Sequence, residues 1–586
     1  MSHKFVVIDE IMSQLEAAKS GIVPGSVTQA VVSGIQNVPG DIKQHKIGGA
    51  SSTSYTTFPL SPIVKNCCLD KTYLNLEFDV SYKFEAETAT ADGEYLIPYY
   101  IGFRDNASLF NQVQILIENS AIWTTTYQRE ESVLSYNSLP ETEIRGNNQY
   151  SSIEKMREGK YSPMKRVLTT AKAAGKKISA EETIHFKCTV DINRLTPLLS
   201  NLHYTTPHMG NLRLKVFFQE FEKCMFICPD YNYIVKAGSS GDFTKQPIYN
   251  QYWQFYPLYL FTDTFKQTLK DDDKKNFYIP FYAIVAYDST ENKSVEELTN
   301  VEISNHSTKD FMTFGGSGIA EIVQTCFDIK DEEYQRLSDY FASLGSVIIP
   351  SQTWSTNVFN NSTIPKGTTY PSSQIGNIGG YNIDFISVWS HPGLSTACFN
   401  KEFQTNVQLI LDGRPVNALP YEYINDKAVV DTTQAIIDTD HEEINHDYIS
   451  SLTLFNETDT KEYIDAALNT IYGDGKLTSS INKNYISNPN TYALNFSTNL
   501  PDAFHSGACI LENSNRQAVI RLNAGSAIDS NPRFGSSLAF PMLITHKNTD
   551  IVSGFSSFCD CCIVLTYDPA RGTCFDGQLS WAAPYL

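Results

Sequence analysis

A mainly β protein in two tandem domains is what this sequence predicts, on three observations: its composition, its alternating segments and a strand that it states twice. The 586 residues include 33 Tyr, 33 Phe and only 8 Met, with 19% charged residues. That balance suits pleated, half-buried surfaces better than long helices. The segment LNLEFDVSYKF sets Leu74, Leu76, Phe78, Val80, Tyr82 and Phe84 on one face and Asn75, Glu77, Asp79, Ser81 and Lys83 on the other, as a sheet with one dry and one wet face requires. NLRLKVFF repeats the pattern, with Leu212, Leu214, Val216 and Phe218 against Arg213 and Lys215. The stated-twice strand is NQVQILIENSAI, from Asn111, and TNVQLILDGRPV, from Thr405. Val113 and Gln114 recur as Val407 and Gln408, Ile115, Leu116 and Ile117 become Leu409, Ile410 and Leu411, Glu118 becomes Asp412, and Tyr127 falls on Tyr421 at the same offset. A chain this long exceeds what one hydrophobic core usually supports, so two domains are the natural count.

Along the chain, residues 1–50 read as an arm. Ile8, Ile11, Met12 and Leu15 fall on one helical face, and the Gly, Pro and Ser that follow prevent a long regular element. A helix of this kind needs a host surface for its apolar stripe, on its own body, a neighbour or a membrane. The first domain is expected over 51–290, with further strands in EYLIPYYIGF, IHFKCTVDI and FYIPFYAIVAY. A connector is expected over 291–345; its helix, DEEYQRLSDYFASLG, sets Tyr334, Leu337, Phe341 and Leu344 on one face and stops at Gly345. The second domain is expected over 346–586, with strands in SVIIPSQTWSTNVF, YNIDFISVW, NVQLILD, TYALNFS, AVIRLN and FCDCCIVLTYD. Its span of about 430–490 is too long for a simple connection and reads as a loop insertion. A helix there opens with Asp459 and Glu462 at capping-box spacing and presents Ile464, Leu468 and Ile471.

The formal net charge is −20, so the surface as a whole repels phosphate, and no strong direct nucleic-acid binding is expected. One stretch dissents. EKMREGKYSPMKRVLTTAKAAGKKIS carries Lys165, Arg166, Lys172, Lys176 and Lys177; it reads as a solvated basic loop, or as a contact loop toward a neighbouring subunit or anionic polymer. The N-terminus lacks the pattern of a secretory signal, and no run of about 18 apolar residues crosses a membrane. The twelve cysteines then belong to a protein made in a reducing compartment.

Motifs for catalysis fail one by one. In HEEINH the two histidines are five apart, which on a helix separates them by about 140° instead of placing them on one face. DTDHEEINHD imitates a calcium loop but has Glu443 where the turn glycine belongs. FGGSGIAE completes neither a phosphate loop nor a nucleophile elbow. Cys559 and Cys562 have C-x-x-C spacing without a second pair, inside an apolar strand. No metal, cofactor or catalytic residue is expected, and the chain is read as a non-enzyme.

The tandem VQILIE and VQLILD strands, the sheet segments YLNLEFDVSYKF and NLRLKVFF and the arm around IDEIMSQLEAA together resemble the double jelly-roll major capsid proteins of the adenovirus-like lineage of DNA viruses, which includes virophages and polinton-like viruses. The resemblance implies two tandem eight-stranded antiparallel jelly-roll barrels with long loop insertions and a few short helices. It also implies pseudo-hexagonal homotrimers that join neighbouring capsomers in an icosahedral shell. Penton or minor capsid proteins are implied as further partners, with an inner membrane contact through the arm. The implied location is the virion, after synthesis in the host cytoplasm or nucleus without secretion. Two alternatives stand beside it: a multi-domain β-sandwich enzyme or lectin acting on carbohydrate, and a single jelly roll with a large β projection. Five tryptophans, no two close in sequence, weigh against an aromatic sugar platform, and the absence of short repeated β motifs weighs against a receptor-binding fibre.

Overall fold

In the computed structural model of the chain, the residues described are 26, 28–33, 35–36, 55–60, 66–88, 93–103, 109–118, 120–125, 165–199, 202–230, 256–261, 281–286, 293–305, 319–358, 374–377, 382–392, 405–411, 414–415, 492–495, 508–509, 517–523 and 551–581. Every strand pairing among them is antiparallel.

Eight strands build a first frame: β1 (Thr28–Ser33), β2 (Tyr55–Pro59), β3 (Asn66–Glu87), β4 (Phe110–Ile117), β5 (Ser120–Thr125), β6 (Lys177–Asp191), β7 (Leu212–Phe218) and β8 (Ile319–Phe327). One sheet runs β1-β8-β3-β6 and the other β2-β7-β4-β5. Apart from the β4–β5 hairpin, each connection carries the chain from one sheet to the other, which is the jelly-roll path. Eight more strands build a second frame: β9 (Ser346–Val358), β10 (Gln374–Asn377), β11 (Asn382–Pro392), β12 (Thr405–Leu411), β13 (Arg414–Pro415), β14 (Tyr492–Asn495), β15 (Gln517–Asn523) and β16 (Ile551–Asp568). Its sheets run β9-β16-β11-β14 and β10-β15-β12-β13, the same order displaced by eight. The fold is therefore two tandem eight-stranded jelly rolls.

The strand that the sequence states twice is the fourth of each frame. Ile115 on β4 pairs with Leu214, and its counterpart Leu409 on β12 pairs with Ile520; Gln114 faces Lys215 in register and Gln408 faces Arg521. A one-residue slip would reverse every side chain, so equal register in both frames means that corresponding residues occupy corresponding faces.

Above the first frame stands a second storey made from its connections. The strands Glu94–Phe103, Lys165–Ala174, Met225–Pro229, Phe281–Ala286 and Lys293–Asn305 lie in the chain between β3 and β4, between β5 and β6, and between β7 and β8. They continue the sheet of β3, whose 22 residues pair with β8 over Asn66–Glu77 and with Lys293–Asn305 from Tyr82 onward. The alternation of β3 is realised in full. Leu74, Leu76, Phe78, Val80, Tyr82 and Phe84 are buried, and the storey fills with rings: Phe84 lies 5.7 Å from Tyr99 and 5.8 Å from Phe281, and Phe78 lies 5.7 Å from Phe186. The buried Tyr82 and Tyr99 hydroxyls bond each other at 2.6 Å, and Tyr99 reaches Thr169 at 2.7 Å, so none of these three hydroxyls is stranded.

Residues 291–345, read from sequence as a connector, supply the storey strand Lys293–Asn305, then β8, then the helix Asp331–Leu344. The reason is chain path: the last strand of a jelly roll lies between the first and the third, so the chain returns to the frame after its longest excursion. Gly345 ends the helix at φ 67°, its N–H bonded to the Phe341 carbonyl at 3.2 Å, the left-handed cap that glycine favours.

Candidate assembly surfaces

The arm residues Ile8, Ile11, Met12 and Leu15 lie outside the described residues, as do the loop insertion of about 430–490 with its helix and the HEEINH segment. The basic residues are placed, and on strands instead of a loop. Lys165, Arg166 and Lys172 are on Lys165–Ala174, Lys176 is in the turn, and Lys177 opens β6. Val167, Thr169 and Ala171 point inward between them, so alternation built the hairpin and the cations became its wet edge. Arg166 binds Asp230 at 2.7 Å, where the carboxylate is buried and the guanidinium half-exposed. Lys172 stands opposite Glu94, and Lys177 opposite Glu87. Lys172, Lys176 and Lys177 are exposed, a cationic tip on an otherwise acidic body.

The wet face of β3 and β6 is a ladder of carboxylates with Lys and His partners. Lys187 reaches Glu77 at 2.7 Å, His185 Nδ1 reaches Asp79 at 2.8 Å, and Lys83 reaches Glu85 at 2.8 Å. Ion pairs this exposed contribute little to stability and leave a hydrated face. On the outer face of β2 and β7, the Lys215 ammonium lies 3.9 Å from the Tyr55 ring centre and 4.9 Å from that of Phe217. Burial and the nearby Arg213 hold its pKa below the usual lysine value, and the rings offset part of that desolvation.

A third surface joins the frames; the sequence marks its helix but not the partners that the helix meets. The helix Asp331–Leu344 buries Leu337 and Phe341, and His208 is packed 4.4 Å from Tyr334 and 5.6 Å from Phe341. Phe341 in turn meets Tyr567 of β16 at 6.0 Å. The strand Thr573–Ser580, paired to β16, runs past the first frame. A Cβ on Gly210 would stand 2.1 Å from the Cys574 carbonyl oxygen, and one on Gly577 would stand 2.9 Å from Ile117 Cγ2. Ser351 of β9 donates to the Leu198 carbonyl. Buried residues of both frames, such as Ile115 and Ile117 with Ile563 and Leu565, belong to one continuous core. Glycine is required at Gly210 because another backbone meets it there, and at Gly577 because the Ile117, Ile122 and Leu565 side chains fill the space of a Cβ.

Cys559 and Cys562 sit three apart on β16, both buried, and strand parity sends them to opposite faces. Among the described residues, no group of three or more His, Cys, Asp and Glu side chains is placed to hold a metal ion. No helix among them is long and apolar enough to cross a membrane.

No protein-family model matches the chain, and no curated protein matches it. Solved structures do. The mavirus major capsid protein is similar at a TM-score of 0.41 and 8% identity, over 96% of this chain and 92% of that one. The Faustovirus major capsid protein is similar at 0.40 and 8%, over 97% and 100%. A chain of the Sputnik virophage is similar at 0.39 and 9%, over 96% and 90%.

Proposed function

We propose that this chain is a viral major capsid protein, a structural protein whose work is self-association into trimers of pseudo-hexagonal outline and then into an icosahedral shell. The observation that carries the reading is the repetition of one eight-strand order in a single chain. Three chains with two such frames each present six similar bodies around a threefold axis, which tile a hexagonal lattice site with fewer independent pieces. The hydrated, carboxylate-bearing ladder on the first frame and the net charge of −20 suit a shell in which another component meets the genome.

Within that reading the body divides near the helix Asp331–Leu344, with the first frame and its storey before it and the second frame after it. Ile8, Ile11, Met12 and Leu15 form a tether that lies on a neighbour or on an inner membrane, and Lys172, Lys176 and Lys177 form a contact toward an acidic neighbouring subunit. Penton or minor capsid proteins are further partners. The test is the mass of the purified protein by light scattering. The expected mass is three times the 65.7 kDa of one chain; a monomer at all concentrations overturns the proposal. Deleting residues 1–20 is expected to leave trimers and impair shells, and normal shells from that deletion would refute the tether.

A further inference from the structure

Cys67 and Cys326 meet across the ladder that closes the first frame. In the register of β3 with β8, Cys326 stands directly opposite Cys67. Directly opposed residues of an antiparallel pair share one face with Cα atoms about 4.5–5.5 Å apart, inside the span of about 4.4–6.8 Å that a disulfide bridges. Both cysteines are buried, and neither is in a disulfide. Cys67 Sγ lies 3.3 Å from Thr72 Oγ1 in a buried contact. The adjacent Cys68 stands opposite Thr325 and Tyr204, and strand alternation turns it to the other face.

We propose that Cys67 and Cys326 are a disulfide modification site, closed by exchange with a low-molecular-weight disulfide, which staples the last strand of the first frame to its third. The two thiols lose two protons and two electrons. One thiolate attacks the small disulfide and expels one equivalent of small thiolate; the second thiolate attacks the mixed disulfide and expels the other. One protein S–S bond forms, one small S–S bond breaks, and two small thiols are released. The bond would tie together the ends of the chain segment that contains β4 to β7 and the whole storey.

Timing follows from the surroundings. Contact with the Cys326 thiol, together with burial, pushes the Cys67 thiol well above the ordinary cysteine range, so thiolate is scarce in the closed sheet. The ladder has an irregularity between Val323 and Thr325, next to Cys326, where pairing is locally interrupted. Exchange therefore runs while β8 is still docking or has locally opened, and the finished bond is sheltered from reductant. This inference concerns one sheet and does not rest on the shell reading.

The experiment is to refold the full chain in a glutathione redox buffer, quench with N-ethylmaleimide and map peptides without reduction. The expected result is a Cys67–Cys326 linked peptide, with Cys68 alkylated, and a heat midpoint above that of the dithiothreitol-treated protein. That rise should vanish in Cys326→Ala and in Cys67→Ala. Finding Cys67 and Cys326 both alkylated after oxidative refolding, or linked to other cysteines, overturns the proposal. The wild-type map decides the matter even where an alanine variant does not fold.

Discussion

The two frames share a strand order and differ in the lengths of the connections between their strands. In the first, the excursions between strands build a storey whose rings extend the core beyond the barrel, around Phe84, Tyr99 and Phe281. In the second, β9, β11 and β16 form a long ladder, with Ile349 opposite Ile563 and Val388 opposite Phe555. The barrel order is fixed by a need that both halves share, to bury two sheet faces against each other. The connections carry no such constraint, so they diverge first.

The largest effect is expected where both frames depend on one residue. Gly210 has φ +77° and no room for a Cβ beside the Cys574 carbonyl, so Gly210→Val should cost about 4 kcal/mol or more. Thermal unfolding should show the loss in both frames; a loss confined to one would break the seam that joins them. Phe84→Ala attacks the storey alone and should cost about 3–4 kcal/mol. Hydrogen exchange should accelerate in 94–103 and 281–286 while 551–568 keeps its protection, and equal acceleration in all three would erase the distinction between storey and second frame. Tyr99→Phe leaves the Tyr82 and Thr169 hydroxyls without their shared partner and should cost about 1–3 kcal/mol by denaturant titration.

Smaller still is the pH response of the seam. His208 is buried, its Nδ1 has no hydrogen-bond partner, and burial lowers its pKa. Its folded value lies below the unfolded value of about 6.5, so its contribution is complete above that pH and is lost as pH falls through the folded value. Between pH 7.5 and 5 the melting temperature should fall a few degrees further in the wild type than in His208→Phe. The least effect belongs to the wet ladder, where Lys187→Ala should change stability by at most about 0.5 kcal/mol, less again in high salt.

Much of the frame was legible because strands announce themselves by parity. The burial of β3 from Leu74 to Phe84 follows the written alternation residue by residue, and that of β7 follows it as far as Val216, beyond which Phe217 is buried as well; the repeated strand led to matching places in two frames because a fourth strand has the same neighbours in each. The helix was legible from its spacing and Gly345; Leu337 and Phe341 are buried as its period requires, while Tyr334 stays partly exposed and packs its ring on His208. Strand β8 was hidden because IVQTCF carries apolar residues without clean alternation, and because its partners are far away in sequence, at Asn66–Glu77 and Thr28–Ser33. The basic stretch looked like a loop because its charges mask the small inward residues Val167, Thr169 and Ala171. His208, Gly210 and Gly577 could not be found from sequence, since their roles depend on neighbours that only the folded chain brings together.

The most direct measurement is a set of averaged electron-microscope images of the purified, assembled protein viewed down its symmetry axis. Six similar lobes around a threefold centre, two from each chain, are what two fused jelly rolls in a self-associating shell protein must give. Three lobes, or isolated single particles with no threefold, would contradict the account.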